Sequence, residues 1–202
     1  MDLLQVEAVL DFWFGALDAE GRADEKHQQR WWSKDPALDA AIRDRFLPLH
    51  TAILRGEREA WLAEQPRRLA YVVVLDQFSR NMFRGTPAMF SGDERALSAA
   101  LGGIEQRWDK ALPLDERAAL YLPLMHSERL DMQQRCIQLY ANQAAELPEG
   151  EARASIENRL AYAVQHRDIV QRFGRFPHRN EVLGRASSAA ELEFLRQPGS
   201  SF

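Results

Sequence analysis

The feature that most constrains the fold is a short stretch that is apolar on every side of a helix. Gln65-Pro66 is typical of a helix start, and residues 69–75 read Leu-Ala-Tyr-Val-Val-Val-Leu without a charge. A helix without a polar face is predicted to lie at the centre of a protein, surrounded by other helices. The stretch is far shorter than the ~20 residues of a membrane span. We therefore expect a helical protein packed around this segment.

Proline and glycine divide much of the remaining chain into helices. Asp35-Pro36 combines an N-cap residue with proline at the first helical position, and predicts a helix over residues 36–54. Pro48 is predicted to kink or split that helix, because proline removes a backbone hydrogen bond. Gly102-Gly103 is predicted to end a helix that begins near Ser91.

Two long helices are predicted in the second half of the chain, over residues 127–145 and 151–173. Ser188 and Glu191 have the spacing of a capping box and predict a short last helix. No segment alternates between apolar and polar residues for long enough to predict a sheet. We expect an all-α protein with one domain over residues 1–202, built from seven to nine helices in stacked hairpins.

Composition excludes several classes of protein. The formal net charge of −4 argues against generic nucleic-acid binding, which needs a basic face. Cys136 is the only cysteine, so the chain can form neither an internal disulfide nor a thiolate zinc cluster. The N-terminus has no secretory pattern, and we expect a cytoplasmic protein without nucleic-acid or membrane partners. The sequence leaves the oligomeric state open.

A first polar cluster follows the apolar stretch and contains Asp76, Gln77, Arg80, Asn81 and Arg84. Asp76 and Arg80 are four residues apart and share a helix face with apolar side chains. One interpretation is a structural ion pair, because an unpaired buried charge costs several kcal/mol. The other interpretation is a ligand site, in which Arg80, Asn81 and Arg84 face a cavity and Asp76 orients an arginine.

A second polar cluster follows the helix of residues 151–173. Gly174 is typical of a helix end, and Pro177 prevents the helix from resuming. The residues around them are predicted to lie on a stiff loop and to converge on one point: Arg175, His178, Arg179 and Asn180. Arginine side chains bind carboxylate and phosphate groups with two parallel hydrogen bonds, so this loop is a candidate anion site.

Histidines lie near both clusters. His126 precedes Ser127, a candidate N-cap, and Glu128, and it is a candidate proton carrier together with His178. His166 shares a helix face with apolar residues, so it is either a hydrogen-bonded core residue or part of a binding wall. Glu128 and His166 complete the candidate ligand-binding set. No pair of residues has a diagnostic metal-ligand spacing, and we predict neither a metal nor another cofactor.

The tryptophans and the cysteine are expected to pack rather than to react. Trp13 and Trp61 suit a core or a helix interface, and Cys136 has no nearby cation that would activate its thiol. Trp31 and Trp32 are adjacent, however, so one helix face cannot bury both rings.

Several of these segments together resemble a mainly bacterial family, the domain of unknown function 924. The resemblance lies in Leu75-Asp76-Gln77-Phe78, Arg80-Asn81, Phe83-Arg84-Gly85-Thr86, His126-Ser127-Glu128, His166-Arg167-Asp168-Ile169, residues 173–180 and Leu183-Gly184-Arg185. It implies a tetratricopeptide-like helical fold and brings no established activity. Ser79 departs from the family pattern, which usually has proline there, and serine allows the helix to continue for another turn.

Three functions remain open from the sequence. The first is a pocket for a small carboxylate or phosphate, with acid–base chemistry at His126 or His178. The second is a tetratricopeptide-like module that binds a peptide in a groove. In the third, the charged clusters form an internal ion-pair network that fixes the packing of the central helices.

Overall fold

Every regular element that the structure describes is a helix. The computed structural model describes residues 2–200, and within that range the one β pairing is an isolated bridge between Leu17 and Ala23. The all-α prediction is therefore confirmed. The α-helices are α1 Asp2–Phe14, α2 Glu25–Trp32, α3 Pro36–Leu54, α4 Gln65–Val72, α5 Ser79–Met82, α6 Asp93–Glu105, α7 Leu114–Leu120, α8 Leu122–His126, α9 Leu130–Ala145, α10 Glu151–Phe173 and α11 Ala189–Leu195. A π-helix over Val73–Phe78 and 3₁₀ turns at Glu59–Ala63, Pro87–Phe90, Trp108–Ala111 and Pro177–Arg179 complete the helical structure.

The central helix consists of α4, the π-helix and α5, which follow one another without a break. Every residue from Arg68 to Asp76 is buried, as the all-round apolar sequence predicts. The π-helix widens the middle of this helix, because its hydrogen bonds span five residues instead of four. Asp76 lies within the widened turn, and turns of this kind are frequent at functional sites.

The helices near Pro48 and Ser127 differ in part from the prediction. The helix α3 has its predicted bounds and continues through Pro48 without splitting there. Buried Phe46 and Leu49 lie on either side of the proline, and this packing outweighs the lost hydrogen bond. The connection between α8 and α9 is also longer than predicted, because α9 begins at Leu130 rather than at Ser127.

Gly102-Gly103 lies inside α6 instead of ending it. The reason is the buried side chain of Arg68, whose Nη1 donates to the carbonyl oxygen of Ala99 at 2.9 Å. A Cβ atom at Gly102 would lie 2.3 Å from that nitrogen. The glycines therefore make room for an arginine, and the sequence signal for a helix end was misleading here.

The buried apolar side chains connect α1 to α10 in one cluster. A smaller cluster at the end of α10 contains Ile169, Val170 and Phe176. The helices α9 and α10 pack against each other along their lengths. Within residues 2–200, no helix is both long and apolar enough to cross a membrane.

Candidate functional site

A cavity of about 470 Å³ lies between the central helix, α8, α10 and the turn at Pro177–Arg179. It contains eight of the residues that the sequence singled out: Gln77, Arg80, Asn81, Arg84, His126, His166, His178 and Arg179. The two polar clusters, about a hundred residues apart in the chain, therefore meet at one place. Aromatic side chains form much of the remaining wall: Trp13, Phe14, Trp31, Trp32, Phe90 and Tyr162.

Asp76 lies directly behind the cavity wall and holds His126 in one orientation. Its carboxylate is 1% exposed, and its two oxygens lie 2.8 and 3.0 Å from Nδ1 of His126. Arg80 and His126 lower the pKa of Asp76 far enough to outweigh its burial, so the carboxylate is ionised and only accepts hydrogen bonds. The proton of neutral His126 therefore sits on Nδ1, and Nε2 is a hydrogen-bond acceptor.

Arg80 is neutralised by carboxylates. Its two terminal nitrogens donate to the two oxygens of Asp93 at 2.9 and 3.0 Å. Nη1 also lies 3.1 Å from the carboxylate of Asp76. Coulombic attraction to these two carboxylates keeps the pKa of Arg80 raised although burial opposes it. Arg80 thus contributes a fixed positive charge that already has its counter-charges.

Asn81 and Arg84 are bound to a third carboxylate. Arg84 donates to the two oxygens of Asp39 at 2.7 and 2.9 Å, and Asn81 donates to the same carboxylate at 2.8 Å. These bonds connect the end of the central helix to the first turn of α3. The residues line the cavity, and their polar groups also hold two helices together.

Arg179 differs from the three other arginines of the predicted set because its charge is poorly matched. The residue is 7% exposed and lines the cavity. Its Nη2 donates to the backbone oxygen of His126 at 2.8 Å, but the nearest approach to a carboxylate is 3.6 Å, between Nη1 and Asp93. Within the described residues, its buried Nε has no hydrogen-bond partner.

Aromatic rings support the guanidinium of Arg179 from two sides. Its central carbon lies 4.7 Å from the ring centre of Phe90 and 4.5 Å from that of Phe176. Burial, followed by repulsion from Arg80, lowers the pKa of Arg179 to about 10, so the side chain is still a cation at pH 7. The cavity therefore contains a buried positive charge that lies against two ring faces.

The three histidines of the cavity are neutral at pH 7. Burial lowers the pKa of His166 to about 3 and that of His178 to about 4. It also lowers the pKa of His126, although Asp76 acts in the opposite direction. The Nδ1 of His166 donates to the backbone oxygen of Tyr162 at 2.8 Å. His166 and His126 lie side by side, with ring centres 6.4 Å apart.

Besides Asp76, three predicted residues lie outside the cavity wall. Glu128 accepts two hydrogen bonds from Arg185 at 2.7 and 2.8 Å. Arg175 donates to Glu191 at 2.7 and 2.9 Å. Asn180 accepts from Arg185 and donates to Ser187, each at 3.0 Å. These contacts fasten the segment after α10, and therefore position Arg179 rather than contact a ligand.

The sequence interpretation missed the aromatic end of the cavity. Trp31 donates from its indole nitrogen to the backbone oxygen of Trp13 at 2.9 Å, and it lies 5.3 Å from the guanidinium carbon of Arg159. Trp32 stacks on Tyr162, with ring centres 5.4 Å apart. Two signals were available: two adjacent tryptophans that cannot share a face, and a tyrosine one helical turn before His166.

Comparisons with known proteins identify a family and a fold. Residues 9–199 match the model of a family described as bacterial protein of unknown function (DUF924). A solved structure of the Agrobacterium tumefaciens protein ATU0120, itself described as of unknown function, is similar with a TM-score of 0.80 and 35% sequence identity. The match covers 96% of this chain and 98% of that one. No curated protein matches this chain significantly.

Proposed function

The chain belongs to this bacterial family of unknown function, and we propose that it binds a small anionic ligand, a carboxylate or a phosphate, in the cavity beside Arg179. The observation that carries the proposal is the poorly matched cation. Removing a charge from water costs several kcal/mol unless hydrogen bonds and a counter-charge replace the water. Arg80 and Arg84 have carboxylates within 3.0 Å, whereas the closest carboxylate of Arg179 is 3.6 Å away.

An anion beside Arg179 would complete its hydrogen bonds. The guanidinium carries five N–H donors, and its Nε and Nη1 lack a short contact to an acceptor among the described residues. Nη1 forms one edge of the fork with Nη2, and Nε forms the other edge with Nη2; either edge has the spacing of the two oxygens of a carboxylate or phosphate. Lys34 also lines the cavity and adds positive charge near the exposed end.

His126 would exchange a proton with this ligand. Its Nδ1 is held by Asp76 at 2.8 Å, which leaves the lone pair on Nε2, the arrangement that a general base requires. His178 also lines the cavity and is neutral at pH 7, with a pKa of about 4. We assign the acid–base role to His126 because it has a buried carboxylate partner, and His178 remains the second candidate.

The size of the cavity supports a small ligand over a peptide. A volume of about 470 Å³ lies within the range of roughly 300–1,000 Å³ that is typical of small-molecule sites. The walls come from α1, α2, the central helix, α7, α8, α10 and the turn at Pro177–Arg179, so they surround the space. A tetratricopeptide-like groove and a cytoplasmic location remain predictions from the sequence.

The test compares Arg179→Gln with Arg153→Gln. Arg153 forms a solvent-accessible ion pair with Glu157 on α10 and lies outside the cavity wall. We expect inorganic phosphate or short carboxylates at millimolar concentration to raise the melting temperature of the wild type and of R153Q, and to leave that of R179Q unchanged. Native mass spectrometry of the purified wild type should show a bound acid.

The proposal fails if none of these anions stabilises the wild type and the purified protein carries no bound acid. It also fails if R179Q responds to the anions as the wild type does. Should R179Q not fold, Arg179→Lys retains the charge and removes the fork, so weaker binding of the same anions by this variant would still support the proposal, and unchanged binding would contradict it.

A further inference from the structure

The aromatic end of the cavity contains one ring that burial does not explain. Trp32 is 60% exposed, although it lines the cavity. Its neighbour Trp31 is fixed by a hydrogen bond to Trp13 and by contacts with Phe14 and Arg159. Trp32 stacks on Tyr162, with an angle of 26° between the rings. A large ring left in water at a cavity mouth is typical of a binding surface.

The exposed ring and the buried cation lie at opposite ends of one wall. Tyr162 and His166 are one turn apart on α10, joined by a hydrogen bond of 2.8 Å from the imidazole to the tyrosine backbone oxygen. The ring of His166 lies 6.4 Å from that of His126, whose backbone oxygen accepts from Arg179. These contacts link the aromatic stack to the cation along one wall of the cavity.

The wall between these ends is apolar in large part. Met89, Leu122 and Met125 contribute to it, and methionine side chains adapt well to flat aromatic rings. Acetate or inorganic phosphate would occupy only the cationic end and would leave this wall in water. A ligand with a larger apolar body would remove both the wall and the exposed face of Trp32 from water, which is favourable.

We propose that the ligand of this cavity is an aromatic acid, whose ring stacks on Trp32 and whose anionic group binds Arg179 through a short linker. This inference rests on the proposed function, since it assigns the anion to the same arginine. A stacked aromatic pair contributes energy beyond its buried area. Trp32 is 60% exposed and Arg179 is 7% exposed, and this difference sets the orientation of the ligand. Its anionic group lies at the buried end of the cavity, and its ring lies at the exposed end.

Calorimetry with three matched probes tests the inference: 3-phenylpropionate, propionate, which lacks the ring, and 3-phenylpropanamide, which lacks the charge. We expect 3-phenylpropionate to bind the wild type at least ten-fold more tightly than either of the others. Trp32→Ala should reduce the preference over propionate to less than two-fold and leave propionate binding unchanged. Trp32→Phe should restore much of the preference, and Leu192→Ala, at an exposed apolar residue outside the cavity wall, should behave as wild type.

The outcomes separate this inference from the proposed function. Equal binding of propionate and 3-phenylpropionate would overturn the aromatic assignment and leave the anion site intact. Retention of the preference in W32A would also overturn it. Equal binding of the amide and the acid would instead contradict the role of Arg179. If neither acid binds the wild type, the aromatic assignment falls, and the melting temperatures with inorganic phosphate then decide whether the anion site stands.

Discussion

Asp76 is the residue on which the geometry of the cavity depends most. Three different side chains reach its buried carboxylate: His126 at 2.8 Å, Arg80 at 3.1 Å and Gln77 at 2.5 Å. It therefore sets the tautomer of one cavity residue and the position of another. A carboxylate with charged partners at such short distances is strongly coupled to them, and removal of its charge affects all of them.

We expect Asp76→Asn to destabilise the protein by about 3 kcal/mol, because it leaves the buried Arg80 with one counter-charge instead of two. The amide also offers a donor to His126, which favours the opposite tautomer. Urea unfolding measures the first effect and ¹⁵N chemical shifts of the imidazole measure the second. Asp131→Asn is the control: its ion pair with Arg129 is exposed, and its loss should leave the free energy of unfolding nearly unchanged.

At the scale of residues, local spacing predicted part of the site. The four-residue interval between Asp76 and Arg80 corresponds to the observed ion pair of 3.1 Å. The partners from other helices were not predictable, because Asp93 and Asp39 have no local relation to the arginines that they bind. For the same reason the sequence did not distinguish Arg175, which is matched by Glu191, from Arg179, which is not.

At the scale of elements, the central helix was predictable in position but not in its internal geometry. The apolar run predicts burial, which residues 68–76 confirm. The π-helix over Val73–Phe78 was not predicted, because valine, leucine and phenylalanine are equally compatible with an α-helix. Its wider turn changes the direction in which the following side chains point, including Gln77 and Arg80.

The contact between α6 and the central helix yields a prediction with an unusual sign. Alanine in place of a helical glycine normally stabilises by up to about 1 kcal/mol. We expect Gly102→Ala to destabilise by about 1–3 kcal/mol instead, because the new methyl group would displace the buried guanidinium of Arg68. Urea unfolding measures the change.

The matched background for this test is Arg68→Met, which removes the guanidinium. In that background Gly102→Ala should be neutral or stabilising, since the methyl group no longer meets the nitrogen at 2.3 Å. A loss of stability of equal size in both backgrounds would show that Arg68 is not the cause.

At the scale of the whole molecule, the buried histidines couple folding to pH. In the unfolded chain each takes up a proton below about pH 6.5, whereas in the folded protein the pKa is about 3 for His166 and about 4 for His178. The pKa of His126 is lowered as well. The unfolded state therefore binds more protons, and stability falls as the pH falls through this range.

Glu116 acts in the opposite direction. Burial raises its pKa to about 7, so the folded state holds a proton that the unfolded state releases above about pH 4.5. Four histidines, including His50, whose pKa burial also lowers, act against one glutamate. Acidification from pH 6.5 to 5 should therefore reduce the free energy of unfolding, by up to about 1.4 kcal/mol per pH unit for each histidine that stays neutral in the folded protein. Melting temperatures measured across this range test whether stability falls on acidification. A melting temperature that stays constant or rises as the pH is lowered would contradict the prediction. His178→Asn should flatten the dependence by about one proton.

The fold class was predictable for the whole molecule because it depends on local signals. These are the residues that start and end helices, and the lack of segments in which apolar and polar residues alternate. The prolines and capping residues at Asp35-Pro36, Gln65-Pro66 and Ser188 lie where the structure begins α3, α4 and α11. The cavity was not predictable as a shape. It arises where helices distant in the chain fail to fill the space between them, and local sequence signals do not describe that space.

The order of the cavity residues along the chain has a consequence for biosynthesis. The walls come from helices that a ribosome produces earlier, whereas the poorly matched guanidinium belongs to the turn after α10 and is the last wall residue to be translated. A nascent polypeptide would thus acquire most of its scaffold before it could retain a ligand. A bound ligand would then show that synthesis had passed this turn. The ligand would stabilise only those chains in which the turn had already packed against the earlier helices.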